Sequence, residues 1–426
     1  MNTGRAASLL ASATALLMLL SGCAWLRTFR EPAPAPVVVE SIGEAGPPQP
    51  AISAEPSPPP LPTPIAFSEA VARAGEKLLA EAQAAIGSKS RELIIDPLID
   101  SSTGQQTAGT VAMGQQMAAL IKVKAPSWSV RPLTRASLAN GPLLLIGTLT
   151  AVNTRNSTVE PADAFRLCLV LIDLRTGRLI AKKVDRATAE TVNAEPTPPF
   201  RDSPTWNRDK TVVAYIKSCQ GSSAGDTVDP AYLIRLPAAA LLNEALLAHG
   251  DGKLAAANRL YRDAQLIAEP DDLRVLNGLY LTNWRLGKKK EAGDAFAKIV
   301  AAGLDSKHLP MKILFNPGST TLLQNADLQL QYALWLRELA SQVGARETCM
   351  KVIGHTSKTG SPIANEFLSQ RRAAVIRQGL QRQDSRLAQH ITSDGAGSRE
   401  NLIGLGTDDL RDALDRRVEF ETVDCS

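Results

Sequence analysis

The chain has 426 residues and is 44% hydrophobic, enough for two to four domains with real cores. Its net charge is only +4, and no basic run or aromatic platform accompanies it, which excludes a nucleic-acid partner. Aromatic residues make up 4%, a composition that suits helices built from Ala and Leu.

The N-terminus reads as a secretory signal. Arg5 supplies a basic start, Leu9 to Leu20 is apolar, and Leu20-Ser21-Gly22-Cys23 follows. That apolar run is too short for an ordinary transmembrane helix. The tetrapeptide resembles a bacterial lipobox, which implies that residues 1–23 are a lipoprotein signal with Cys23 as the lipidated residue. A plain cleaved signal with a chance Cys is the alternative. Ala24, in place of Asp, favours the outer membrane under the sorting rule such lipoproteins follow. Several acyl chains on one residue anchor firmly, as a single chain does not. Residues 24–65 form a linker, dense in Pro, Ala, Glu and Ser from Arg30 to Pro64, that cannot bury a core and stays extended. At ~3.1 Å per residue it reaches on the order of 100 Å.

Residues 66–235 alternate helix and strand. Phe67 to Ile86 is an amphipathic helix, Arg91 to Pro97 a strand stopped by Asp-Pro, and Gln105 to Ile121 a second helix. Trp128 to Pro132 and the apolar Leu143 to Leu149 are strands. Phe165 to Asp173 and Arg178 to Lys183 form a hairpin across Arg175-Thr-Gly177. This α-β-α-β-β-β-β order predicts a small α/β sandwich with a covered sheet. The elements DPLID, LLIGTL and LVLIDLRTGRLI are similar in order to those of the accessory lipoprotein domain of penicillin-binding-protein activators and FlgO/CsgG-type proteins. Asp96, Asp100 and Asp173 stand at strand ends as turn-formers, and no catalytic constellation emerges.

Residues 236–309 are helical and carry a repeat. Gly252, Ala257 and Tyr261 align with Gly287, Ala292 and Phe296, the second copy starting at 287 against 252 for the first. This resembles the tetratricopeptide repeat, in which a Gly turns the chain, a small Ala lets the second helix approach and an aromatic fills the gap. Two such helical hairpins serve either as a spacer, the preferred reading, or as a groove for a partner's peptide.

The C-terminal region, 310–426, predicts a strand at Met311–Phe315, a helix over Asp327 to Val343 and a strand at Met350–Ile353 ending at Gly354. A helix opening with Asn365, a strand at Ile391–Gly397, a short helix over Asp408 to Leu414 and a closing strand at Arg417–Val423 follow. The loop from Ser398 to Thr407 would rim a site. Gly354-His355-Thr356-Ser357, Asn365-Glu-Phe-Leu368-Ser369, Arg372-Ala373 and Asp415-Arg416-Arg417-Val418-Glu419 stand in the order of the OmpA-like peptidoglycan-binding motif, so this region resembles that domain. The resemblance implies a β-α-β-α-β fold and a site at Thr356, Ser357, Asn365, Leu368 and Arg372. There the family grips the diaminopimelate of the peptidoglycan stem peptide with an Asp in the turn and the Arg of the helix. Here Ser357 stands at the Asp position, and a hydroxyl offers an ammonium only a neutral hydrogen bond. His355 reads as a residue tying down the loop, and Arg372 as either a ligand contact or part of a solvated face.

Besides Cys23 there are four cysteines, an even number consistent with disulfides in an exported chain, four free thiols being the alternative. Cys349 and Cys425 fall at neighbouring strand ends, and Cys168 and Cys219 in two strand-like runs, so these are the expected pairs. Without a C-x-x-C spacing and with scattered histidines there is no zinc set, and no cofactor is implied. The whole reads as an α/β and α+β multidomain, non-enzymatic lipoprotein of the outer membrane, facing the periplasm and tethering that membrane to the wall. The alternative is an envelope scaffold that recruits a protein partner through residues 66–309, with wall binding weak or lost.

Overall fold

The first helix described is an Ala-rich amphipathic one. The computed structural model describes residues 62–425 except 88, 159–161, 310, 324–325, 347, 404–405, 407 and 409–410. Cys23 and the expected signal and most of the linker therefore lie outside the described residues. Helix α1 (Phe67–Ile86) buries Ala70, Val71, Ala74, Leu78, Leu79 and Ala82, one face at helical spacing. Strands β1 (Arg91–Ile95) and β2 (Ile99–Asp100) follow. Helix α2 (Ala108–Lys124) starts three residues later than the sequence suggests, because Thr107 and Thr110 close a capping box there. Then come β3 (Trp128–Pro132), the short α3 (Arg135–Leu138), β4 (Leu143–Val152), β5 (Ala164–Asp173) and β6 (Arg178–Thr188).

These strands form one sheet in the order β3-β1-β4-β5-β6, with β2 beside β4. Contacts of β1 with β3 and β4 are parallel, and the β4-β5-β6 meander is antiparallel. Alternation sends Leu143, Leu145, Leu167, Leu169 and Leu171 to the face covered by α1 and α2. Leu144, Ile146, Val170 and Ile172 go to the other face, under α5 (Lys210–Gln220) and α6 (Pro230–Ile234), which follow the short α4 (Pro198–Arg201). A sheet buried on both sides needs this near-continuous apolar sequence. Cys168 on β5 bridges to Cys219 with Cα atoms 5.9 Å apart. Cys219 lies on α5, not on a strand, since Asp209 caps a helix there.

Two antiparallel helix pairs come next, α7 (Leu236–Gly250) with α8 (Leu254–Gln265) and α9 (Leu273–Arg285) with α10 (Lys289–Asp305). Gly252 and Gly287 turn the chain with φ of 73° and 75°, a left-handed conformation that favours glycine. Ala257 and Ala292 are fully buried, and Tyr261 lies so close to Gly278 that any side chain there would overlap its ring.

The C-terminal sheet is ordered β7-β10-β8-β9, from β7 (His308–Leu309), β8 (Cys349–Gly354), β9 (Ile391–Gly395) and β10 (Val418–Val423). Helices α11 (Ala326–Arg346) and α12 (Pro362–Gln383) complete it. The strand expected at Met311–Phe315 is replaced by isolated bridges, Met311 to Thr205 and Lys312 to Val418. Helix α12 starts at Pro362 behind the cap Ser361, three residues before Asn365. The short helix expected over 408–414 is a 3-10 turn at Arg411–Asp415. Cys349 and Cys425 are bridged, their Cα atoms 5.1 Å apart.

One apolar core runs from Leu241 on α7 to Phe420 on β10 and so spans the helix pairs and the C-terminal sheet together. Trp335 on α11 lies at the join, stacked on Phe296 at 5.8 Å and donating its indole N–H to Tyr280 at 2.7 Å. Lys312 is a second tie. Its buried ammonium donates to Gln105 Oε1 and Ser203 Oγ, both at 2.9 Å, and to Phe200 O. Burial drives its pKa well below the usual lysine value.

Candidate functional site

The turn that leaves β8 is pinned from both sides by its backbone. His355 N–H donates to Arg417 O at 2.9 Å and Thr356 N–H to Gly397 O at 2.8 Å. Helix α12 sits directly on the strand ends, and a Cβ on Gly354 or Gly395 would run into Ser369. The buried face of α12 is Asn365, Ser369, Arg372, Ala373, Ile376, Gly379 and Leu380. Its first turns therefore point polar groups, not apolar ones, at the sheet. Phe367 is 61% exposed, and Leu368 is half-buried.

Arg372 does not project to solvent: its exposure is 0%. Nε donates to Ser319 O at 2.9 Å, Nη1 to His355 O at 2.9 Å and Nη2 to Asn316 O at 3.0 Å. The guanidinium also lies 5.1 Å from the ring of Phe315. Desolvation and the nearby Arg416 lower its pKa to about 10, so it stays charged at neutral pH. In this arrangement the fork braces the turn at His355 against the turn at 316–319.

The carboxylate missing at position 357 is supplied by another loop. Ser357 Oγ donates to Asp408 Oδ1 at 2.5 Å and Thr359 Oγ1 to Asp408 Oδ2 at 2.7 Å. Arg416 Nη1 approaches the same Oδ1 at 3.3 Å. Desolvation alone would raise the Asp408 pKa. Those hydroxyls and the charges of Arg416 and Arg372 outweigh it and hold the carboxylate below its usual range. Asp408 keeps 34% of its side chain exposed and adopts a φ of 56°. Sequence reading ended the rim loop at Thr407, one residue short of it. The signal available was a motif lacking its acid beside a loop that contains one.

Around this acid, Thr356 Oγ1 and Asn365 Nδ2 are buried without a hydrogen-bond partner among the described residues. Asp415, where the motif has Asn, accepts from Leu402 N at 2.6 Å and Ile403 N at 3.0 Å, shaping the rim loop. The structure thus brings Thr356, Ser357, Asn365 and Arg372 around one strand end. His355 is 1% exposed, with Nδ1 3.8 Å from Glu400 and neither ring nitrogen hydrogen-bonded among the described residues. Burial and the Arg417 charge depress its pKa to about 3, so it is neutral, and it is the His355 backbone, bonded to Arg417 O and to Arg372, that fixes the turn.

The inner face of the helix pairs is already filled. Asn277 on α9 donates to Asn207 Oδ1 at 2.8 Å and to Thr205 Oγ1 at 3.2 Å, and Phe200 reaches the cavity between Leu242, Leu246 and Leu281. The segment lying there, 199–207, is the chain's own. Asp100 and Asp173 form turns, accepting from Thr103 N and Arg175 N, whereas Asp96 is buried against the Tyr232 hydroxyl at 2.6 Å.

Residues 314–413 match the OmpA family. That family is a structural, non-catalytic one, in agreement with the expectation of no enzyme. No curated protein matches the chain. Among solved structures, the peptidoglycan-associated lipoprotein from Burkholderia pseudomallei is 21% identical over 26% of this chain and 89% of its own, with a TM-score of 0.22. The cell wall anchor of the T6SS from Pseudomonas aeruginosa is 20% identical over 31% and 97%, with a TM-score of 0.23. The periplasmic domain of Helicobacter pylori MotB (residues 78–256) is 16% identical over 27% and 72%, with a TM-score of 0.22.

Proposed function

We propose that the C-terminal region binds the peptidoglycan stem peptide without covalent chemistry and that, with Cys23 lipidated, the protein ties the outer membrane to the wall. Residues 236–309 form two tetratricopeptide-like hairpins that act as a structural spacer. The observation that carries the wall reading is Asp408, held ionised by Ser357 and Thr359, together with Thr356 Oγ1 and Asn365 Nδ2, which are buried without a hydrogen-bond partner among the described residues. An ammonium of diaminopimelate lands on this carboxylate in a charge-assisted hydrogen bond. Its carboxylate reaches Arg372 once the 316–319 turn gives way, and until then Arg372 keeps the turn in place.

The test is retention of the full-length protein on purified sacculi, with free diaminopimelate as competitor. Arg372→Ala is a poor probe because it strands the buried His355 carbonyl and two partly buried ones, at Ser319 and Asn316. Asp408→Asn keeps the shape and removes the charge, and the loss of one charged hydrogen bond, ~1.5–3 kcal/mol, weakens retention by roughly tenfold or more. Unchanged retention would remove the wall ligand from this site. The burial of Arg372 favours a second reading, an envelope scaffold without a wall ligand, and wild-type protein that ignores sacculi altogether would establish it.

A further inference from the structure

We propose that Cys349, His390 and Cys425 form a redox-gated site for a thiophilic d10 cation, zinc being the type, shut while the two sulfurs are joined and opened by their reduction. The donors come from three adjacent chain segments. Cys349 opens the central β8, His390 immediately precedes β9, and Cys425 follows β10. Pairing of Met350 with Ile391 and the bond from Met350 N to His390 O at 2.8 Å fix the Cys349–His390 register. The three ligand atoms lie within 4.8 Å of one another.

Cys349 Sγ is 3.7 Å from His390 Nδ1. Bond lengths of ~2.3 Å to sulfur and ~2.0 Å to nitrogen put the edge of a zinc tetrahedron at about 3.6 Å, so this pair is already spaced for a shared ion. Cys425 lies beyond Val423, the last paired residue of β10, and is exposed. Opening the bond separates the two sulfurs at this exposed end of the chain segment rather than inside the sheet. No sequence spacing announces the set, because only strand pairing assembles it.

The chemistry balances with a dithiol as reductant. It gives two electrons and two protons to the disulfide and becomes a disulfide itself, leaving Cys349 and Cys425 as thiols. The cation then displaces both thiol protons, and the Nδ1 lone pair of His390, protonated at Nε2, is the third ligand. Two thiolates and an imidazole suit a soft d10 ion, with the fourth position left to water. The second disulfide is no competitor, since Cys168 and Cys219 are 3% and 2% exposed. The site is at the opposite end of β8 from the turn at His355, ~17 Å away at the rise of a strand, so it stands or falls apart from the wall reading.

The experiment treats the full-length protein with a mild dithiol, removes it anaerobically, and titrates Zn2+ against a chromophoric chelator, with Co2+ as spectroscopic probe. One tight equivalent and thiolate-to-cobalt charge-transfer bands are expected after reduction, and neither before it. Cys425→Ser loses both, and His390→Ala weakens binding by at least about tenfold. Equal binding by oxidised protein, wild-type binding by both variants, or a disulfide that opens only in denaturant would each overturn the proposal.

Discussion

Ser357→Asp returns to the turn the acid that the motif has there, and the structure makes it a harmful change. Ser357 Oγ now donates to Asp408 Oδ1 at 2.5 Å, and the substitution replaces that donor with a second carboxylate. Two unit charges ~4 Å apart at an effective dielectric near 20 repel by about 4 kcal/mol. Solvent at the one-third exposed Asp408 and the guanidinium of Arg416 at 3.3 Å reduce this, so a loss of about 1–2 kcal/mol is expected. For a body of this size that lowers Tm by a few degrees. The loss shrinks in mild acid, where the two carboxyls share a proton. Adding Asp408→Ser to the same chain moves the acid back to the turn and the hydroxyl to the loop. Stability and sacculus retention should both recover, giving a coupling of 1 kcal/mol or more in the double-mutant cycle. Thermal and denaturant melts of the four proteins measure it. A Ser357→Asp protein as stable as wild type and held more tightly by sacculi would refute the idea that Asp408 occupies the acid's place.

Two further predictions follow from buried groups. His355 is neutral when folded, with a pKa near 3 against an ordinary 6.5, so the unfolded chain takes up a proton first and stability falls as pH drops from 6.5 toward 3. By pH 5 the loss is about 2 kcal/mol, and His355→Gln should abolish that share of the slope in denaturant melts at pH 7.5 and 5, above the window where Glu419, held near 2, begins to matter. The isolated fragment 310–426 should fail to fold cooperatively, because Trp335, Tyr332, Met311, Ile313 and Phe315 belong to the core it shares with the helix pairs. Each such side chain left in water forfeits ~1.5–3 kcal/mol, and a sharp, reversible melt of the fragment would count against a shared core.

Much of the fold was legible because period and burial agree. The repeat of Ala70, Ala74 and Leu78 marks α1, and the largely apolar Leu143–Leu149 marks a strand covered on both faces. The cysteine pairs also came out as expected. Legibility failed where partners come from distant sequence. Met311, Ile313 and Phe315 alternate like a strand, yet Lys312 between them is buried too, against Phe200 and Ser203 more than a hundred positions away and Gln105 more than two hundred. Arg372 reads as a ligand contact or as part of a solvated face, because charged helix residues usually meet one or the other. Its partners are three backbone carbonyls, and carbonyls leave no mark in a sequence. The candidate site was half visible for the same reason: Thr356, Ser357 and Asn365 belong to a motif, whereas Asp408 enters only through the folding of the rim loop.

The distribution of aromatic side chains bears on how the parts act together. A chain with 4% aromatics has Tyr280, Trp284, Phe296, Tyr332 and Trp335 in one cluster between the second helix pair and α11. Phe296 both fills the gap within its own helix pair and stacks on Trp335, so the feature that resembles a repeat is also the contact with the neighbouring domain. On the inner face of the pairs, Asn277 holds Thr205 and Asn207 of the chain's own 199–207 segment. Lys312 extends the same principle to the α/β sandwich, tying the start of the C-terminal region to Gln105 and Ser203. Through Lys312 and the shared aromatic cluster, the start of the C-terminal region is packed on the sandwich and the second helix pair rather than joined to them by chain alone.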